Sequence, residues 1–257
     1  MFRRLRIAVL LYILVFIAVA QFLTMRRSTS WDAPLWINVY TVDGDARSVT
    51  RSYIDSLSST EFSDVEKFLA AEARRHGVSL DQPFRLRIVG DYTDGLPTLA
   101  SDAGALGTLF WSLRMRWLAT RLQWRSAAPG GDILVFAVFH EPAAELALDR
   151  STALRKGMIA VANLFADDRA RGSNHMVLAH ELLHTLGATD KYTPGTNAPR
   201  FPDGYAAPDA KPLLPQTRAE LMAGRIPLDA QHADIPSTLR QVVIGPATAR
   251  EIGWPNP

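Results

Sequence analysis

The chain has 257 residues, of which 47% are apolar, enough for a sizeable core in one domain of ordinary size beyond any leader. Its 28 Lys and Arg against 26 Asp and Glu leave a net charge of only +2, with arginines spread along the chain, which argues against nucleic acid as a partner. There is no cysteine, so disulfides and thiolate metal sites are excluded and only histidine and carboxylate remain as metal ligands.

Arg3, Arg4 and Arg6 precede an apolar run from Ile7 to Ala20 that continues through Phe22 and Leu23. At about 17 residues the run reaches the lower limit for a bilayer-spanning helix and exceeds a signal-peptide core. The expected organisation is a membrane segment over residues 1–27, a signal anchor with its amino terminus cytoplasmic, and an extracytoplasmic domain (periplasmic or extracellular) over 28–257. Ala18-Val19-Ala20 has the small-x-small form of a cleavage site, and cleavage there would secrete the domain instead.

Past this segment, Leu35 to Val42 alternates as a half-buried strand does, and Asp43-Gly44-Asp45 closes it as a turn. A helix is expected from Val49 to Leu57 and an amphipathic one from Phe62 to Arg75, with Phe62, Val65, Leu69 and Ala73 on one face. Phe84 to Val89 reads as a strand and Asp91 to Gly107 as a loop rich in glycine, aspartate and small residues. Leu109 to Arg125 follows as a helix with Trp111, Met115, Leu118 and Leu122 on one face and Arg114, Arg121 and Arg125 on another. Its aromatics are expected to pack on the sheet and its arginines to be solvated, with contact to lipid headgroups as the other use of such a helix. The continuous apolar run Ile133 to Phe139 is a strand covered on both sides. His140-Glu141 ends it without the partner spacing of a second metal site. After a loop that includes Arg150 and Arg155, Met158 to Leu164 is the last strand before the most informative stretch.

That stretch runs from His175 to Tyr192. His180-Glu181-Leu182-Leu183-His184 is an H-E-x-x-H sequence, and on a helix its four-residue gap sets both imidazoles on one face, one turn apart. Glu181 projects at a neighbouring angle, where it reaches a water beside the metal as general base without being a ligand. Ser173 and Asn174 are good N-caps, and Gly187 sits where a left-handed residue ends the helix. Asp190, three residues beyond, completes His180-Glu181-x-x-His184-x-x-Gly187-x-x-Asp190 as the third candidate ligand. Three protein ligands leave one position open, the arrangement of a catalytic site. Zinc is the expected metal, and a carboxylate ligand also makes manganese or iron compatible.

The pattern resembles that of the metzincin zinc peptidases, H-E-x-x-H-x-x-G-x-x-H, in which aspartate is the third ligand in a minority of members. Leu221-Met222-Ala223-Gly224 resembles their methionine turn, with Met222 beneath the metal. The resemblance implies an α+β fold: a mixed twisted sheet, the active-site helix and a smaller C-terminal subdomain. It also implies that Met158 to Leu164 is the sheet edge that pairs with an extended substrate. The aspzincins also use two histidines and an aspartate, but their aspartate normally lies in a separate downstream motif. Glu220 is an alternative third ligand, as in zinc peptidases that use a later glutamate.

Six prolines between Thr193 and Gln216 make this segment a loop, either a wall of the cleft or a plain surface excursion. Arg218 to Met222 is a short turn or helix, and Ala247 to Ile252 a last helix ended by Gly253-Trp254-Pro255. Tyr192, Tyr205 and His232 are candidate oxyanion donors, Tyr192 first among them. The expected function is a zinc metallopeptidase acting on protein or peptide substrates. The rivals are a non-proteolytic metal-containing envelope module, against which the presence of Glu181 argues, and a hydrolase of non-peptide amides using the same residues.

Overall fold

The computed structural model describes residues 29–98, 104–125, 129–142, 152–154 and 158–255, together with Arg6, Ile7, Leu11, Tyr12, Val15, Val19 and Arg27. Most of the apolar run from Ile7 to Ala20, and Ala18 and Ala20 of the small-x-small step, lie outside them, as do Arg150 and Arg155. Among the described residues no helix is long and apolar enough to cross a membrane.

Strand β1 (Leu35–Asp43) is followed by helices α1 (Ser48–Ser56) and α2 (Ser63–Arg75), strand β2 (Phe84–Asp91), helix α3 (Ala105–Arg125), and strands β3 (Ile133–His140), β4 (Thr152–Leu154) and β5 (Ile159–Phe165). Helix α4 (Arg171–Leu186) comes next. Beyond it the chain forms two-residue strands, β6 (Tyr192–Thr193), β7 (Ala198–Pro199), β8 (Ala219–Glu220), β9 (Ile226–Pro227), β10 (Ala233–Asp234) and β11 (Val242–Val243), and a closing helix α5 (Pro246–Glu251). The main sheet has the order β2-β1-β3-β5-β4; its first four strands are parallel, and β4 runs antiparallel to β5. The fold is therefore α+β with a mixed sheet.

The period of two along β3 divides the core. Ile133, Val135, Ala137 and Phe139 face one side, where α2 and α4 supply Val65, Leu69, Leu178, Leu182 and Leu183. Leu134, Phe136 and Val138 face the other, where α3 alone supplies Trp111, Met115 and Leu118. A strand covered on both sides has no polar face to show, which is why its sequence is unbroken apolar.

Three expectations are corrected. Met158 to Leu164 is not the sheet edge: β5 lies between β3 and β4, so β4 takes the edge. Only three residues long, β4 is too short to show a period. Ser173 and Asn174 are not helix caps, because α4 begins at Arg171. Ser173 Oγ donates to the Ala170 carbonyl at 2.8 Å, and the Asn174 amide exchanges two bonds with the backbone of Phe165, at 2.9 and 2.8 Å. This tertiary use of a residue that resembles a cap ties the start of α4 to the end of β5. Finally, α3 starts at Ala105, inside the expected loop, and only part of its apolar surface meets the sheet: Trp117 and Trp124 are 64% and 84% exposed.

The C-terminal part is held by a buried carboxylate. Glu220 is fully buried and accepts from the Met222 and Ala223 amides at 2.6 and 3.1 Å through one oxygen, and from the Gly245 amide and Thr248 hydroxyl at 3.1 and 2.7 Å through the other. Burial pushes its pKa up, while these donors work the other way. Both oxygens are committed, so Glu220 is a clamp between the Met222 turn and α5 rather than a metal ligand. Glu220→Ala strands two buried amides and a hydroxyl, since the Ala223 amide keeps its bond to the Glu220 carbonyl, and at roughly 1–3 kcal/mol for each unsatisfied group it should cost at least about 3 kcal/mol, read as a lowered urea midpoint with unchanged slope.

Candidate metal centre

Helix α4 buries Leu178, Leu182, Leu183 and Leu186 and turns His180 and His184 to a cavity. The two rings stand edge to face, with centroids 4.6 Å apart and Nε2 atoms 2.9 Å apart. Gly187, at φ 110°, ends the helix in a Schellman closure, with Gly187 N donating to His184 O and Ala188 N to Leu183 O, each at 3.1 Å. The chain then reverses and brings Asp190 Oδ1 to 3.3 Å from His180 Nε2 and 3.2 Å from His184 Nε2.

The protons decide what these distances mean. His180 Nδ1 lies 3.1 Å from the Leu221 carbonyl and His184 Nδ1 lies 2.8 Å from the Ala188 carbonyl. A carbonyl only accepts, so each Nδ1 carries the hydrogen, and a neutral ring then presents a bare lone pair at Nε2. Two such lone pairs 2.9 Å apart, beside a carboxylate oxygen, repel one another unless a cation stands between them. Buried Asp190 Oδ1 has no partner of hydrogen-bond geometry. Its contacts with the rings are those of donors converging on a common point. Donors bound at about 2.0–2.1 Å in a tetrahedral array lie about 3.3 Å apart, close to the edges of this triangle. His180 Nε2, His184 Nε2 and Asp190 Oδ1 could thus hold a divalent cation.

Glu181 stands beside them. One of its oxygens and the histidine donor atoms lie within 4.8 Å of one another, so the His180, Glu181 and His184 group is itself a candidate metal-binding set. The triangle closed by Asp190 is tighter. Buried Glu181 Oε2 has no hydrogen-bond partner, and burial pushes the carboxyl pKa up, against the pull of the histidines.

The Met222 turn supports this geometry from below. Leu221 supplies the carbonyl for His180, and the Met222 carbonyl accepts from the Lys191 amide, next to Asp190, at 2.9 Å. Lys191 is itself buried and pairs with Glu251 of α5 at 2.7 Å. Met222 is fully buried in the main core.

The cavity is about 720 Å³, and its apolar lining includes Met176, Val177, Leu221, Ile235 and Pro236, with Tyr192 also in the lining. The proline-rich stretch from Thr193 to Gln216 does not line it, which leaves the surface excursion of the two readings. That stretch folds back on itself: Gln216 Nε2 donates to the Ala207 and Leu213 carbonyls at 3.0 and 2.6 Å, and Tyr205 meets Phe201 edge to face. Its place is taken by Ile235-Pro236, whose only signal in the sequence is an apolar residue and a proline in a polar stretch. Among the candidate oxyanion donors Tyr192 lines the cavity, whereas Tyr205 and the exposed His232, paired with Asp229, do not. His140 contacts Asn163 and Glu141 pairs with Arg47, away from the cavity.

No protein-family model and no curated protein matches this sequence. Among solved structures the chain is similar to wild-type OgpA from Akkermansia muciniphila, at 12% identity over 87% of this chain and 62% of that one with a TM-score of 0.47. It is similar to catalytically inactive OgpA in complex with an O-glycopeptide substrate, at the same identity and coverage with a TM-score of 0.42. It is also similar to a chain of a chaperone–substrate complex, at 15% identity over 82% of this chain and 31% of that one with a TM-score of 0.41. The chain thus spans between about a third and two thirds of the length of these structures.

Proposed function

We propose that this chain is a zinc-dependent, metzincin-like peptidase in which His180, His184 and Asp190 hold the metal and Glu181 is the general base. The observation that carries the reading is the convergence of two imidazole nitrogens and an unpartnered carboxylate oxygen on one point at the wall of a cavity. When bound, the cation supplies Lewis acidity, polarising a scissile carbonyl and making an adjacent water acidic enough to react at neutral pH. Glu181 takes the proton of that water and returns it to the leaving amine. Its burial suits this task, because a carboxylate with a raised pKa is a stronger base. The Leu221 and Ala188 carbonyls fix both imidazoles in the tautomer that leaves Nε2 free. Asp190 adds a negative charge that lowers the net charge of the site to about +1. Tyr192, in the lining, is the group best situated to donate to a developing oxyanion. We assign Gly187 and Met222 to shaping the site, and the edge strand β4, beside α4, to main-chain pairing with an extended peptide. The apolar run after Arg6 supports a membrane-anchored protein with its cleft outside the cytoplasm.

Two measurements test this. Incubated with an unbiased peptide mixture, the zinc-loaded parent should cut and Glu181→Gln should cut at least about 100-fold more slowly with equal zinc content; equal rates, or no cleavage by either, would count against the assignment. Independently of turnover, adding zinc to the metal-stripped parent at about 100 times its dissociation constant should stabilise it by about 2.7 kcal/mol, read as a rise in Tm. Asp190→Ala and His184→Ala should lose most of that rise.

A further inference from the structure

Helix α3 is apolar on two opposite faces. One face, with Trp111, Met115 and Leu118, is buried on the sheet. Away from it, Leu106, Phe110, Leu113, Trp117 and Trp124 follow one another at steps of four, three, four and seven residues, with Leu109 alongside, and all six are exposed. At 3.6 residues per turn these steps keep one stripe along the whole helix, where a surface helix normally carries its polar residues. Arg114, Arg121 and Arg125 border the stripe on one side and Arg116 borders it on the other, and α3 has no acidic residue. The Arg121 guanidinium lies 5.4 Å from the Trp117 ring centroid.

An apolar stripe with tryptophans, edged only by arginine, has the composition of a helix lying in the plane of a bilayer surface. Charge speaks against a second copy, since pairing two such stripes would bring arginine rows against arginine rows. It favours an anionic surface, whose lipid phosphates complement both edges.

Position agrees. Near the C-terminal end of α3, Gln123 Nε2 donates to the Gly131 carbonyl at 3.3 Å, and Asp132, the next residue, pairs with Arg27 at 3.4 Å. The chain arriving from the apolar N-terminal segment thus meets the domain at the end of the sheet where α3 finishes.

We infer that α3 is a second, in-plane membrane contact: its apolar stripe enters the boundary between headgroups and acyl chains of an anionic bilayer, its arginines bind lipid phosphates, and the sheet lies along the surface. The contact goes beyond the peptidase reading and does not depend on it.

Because the chain has no cysteine, Leu113→Cys gives a single site for a nitroxide label. The full chain is reconstituted in phosphatidylcholine vesicles with and without phosphatidylglycerol, and the label's collisions with dissolved oxygen and with a water-soluble nickel chelate are compared. With phosphatidylglycerol present, the oxygen-to-nickel ratio should be severalfold higher than for a label at exposed Thr60→Cys, on the turn between α1 and α2. Charge reversal by Arg114→Glu with Arg121→Glu should return Leu113→Cys to the Thr60 value while the chain stays with the vesicles. A Leu113→Cys label as open to nickel as that at Thr60, or dipolar broadening between labels on separate chains, would overturn the inference; the second result would assign the stripe to a dimer.

Discussion

Two imidazole nitrogens held 2.9 Å apart, with both Nδ1 atoms turned to carbonyls, are the constraint on which the site depends. The arrangement is unfavourable for the bare side chains, and each part of it is fixed by the backbone. The Ala188 carbonyl that orients His184 exists where it does because Gly187 adopts a conformation that side chains resist. The Leu221 carbonyl that orients His180 comes from a turn whose next two amides are bonded to Glu220. Glu220 in turn is tied to the start of α5, and Lys191, the residue after Asp190, is tied both to Met222 and to α5. The C-terminal part, with little regular structure of its own, thus works as a frame that prevents the donor atoms from relaxing apart.

The helix that carries His180 and His184 was legible in the sequence because its pattern is local. H-E-x-x-H, Gly187 and Asp190 lie within eleven residues, and helix geometry alone sets the first two candidate ligands on one face. The strands were legible where burial imposes a period: β3 is apolar throughout because α3 covers one face and α2 with α4 the other. What the sequence concealed depends on tertiary context. Asn174 has the side chain of a helix cap but serves the backbone of β5, and Glu220 has the side chain of a ligand but serves four donors from the Met222 turn and α5. The edge strand β4 has too few residues for a pattern. Ile235 and Pro236 reach the cavity from a stretch that composition marks as polar, while the proline-rich loop satisfies its own groups and stays out.

Similar reasoning separates two uses of apolar surface. Trp111 and Trp117 lie six residues apart on one helix, yet the first is buried against Tyr92 and Phe136 and the second is exposed beside Arg121. Periodicity identifies both as apolar positions. Only the three-dimensional arrangement shows that a single helix has two such faces and that the sheet needs just one of them.

The sheet itself has a consequence through its thickness. Because α3 and α4 cover opposite faces, a domain resting on α3 would carry its candidate metal centre one helix and one sheet layer above the lipid, on the order of 20 Å. That is more than twice the screening length of about 8 Å at physiological ionic strength. The anionic surface that would attract the arginines of α3 would then have little electrostatic influence at the cleft, and an acidic peptide could approach the site without being repelled by the membrane beneath it.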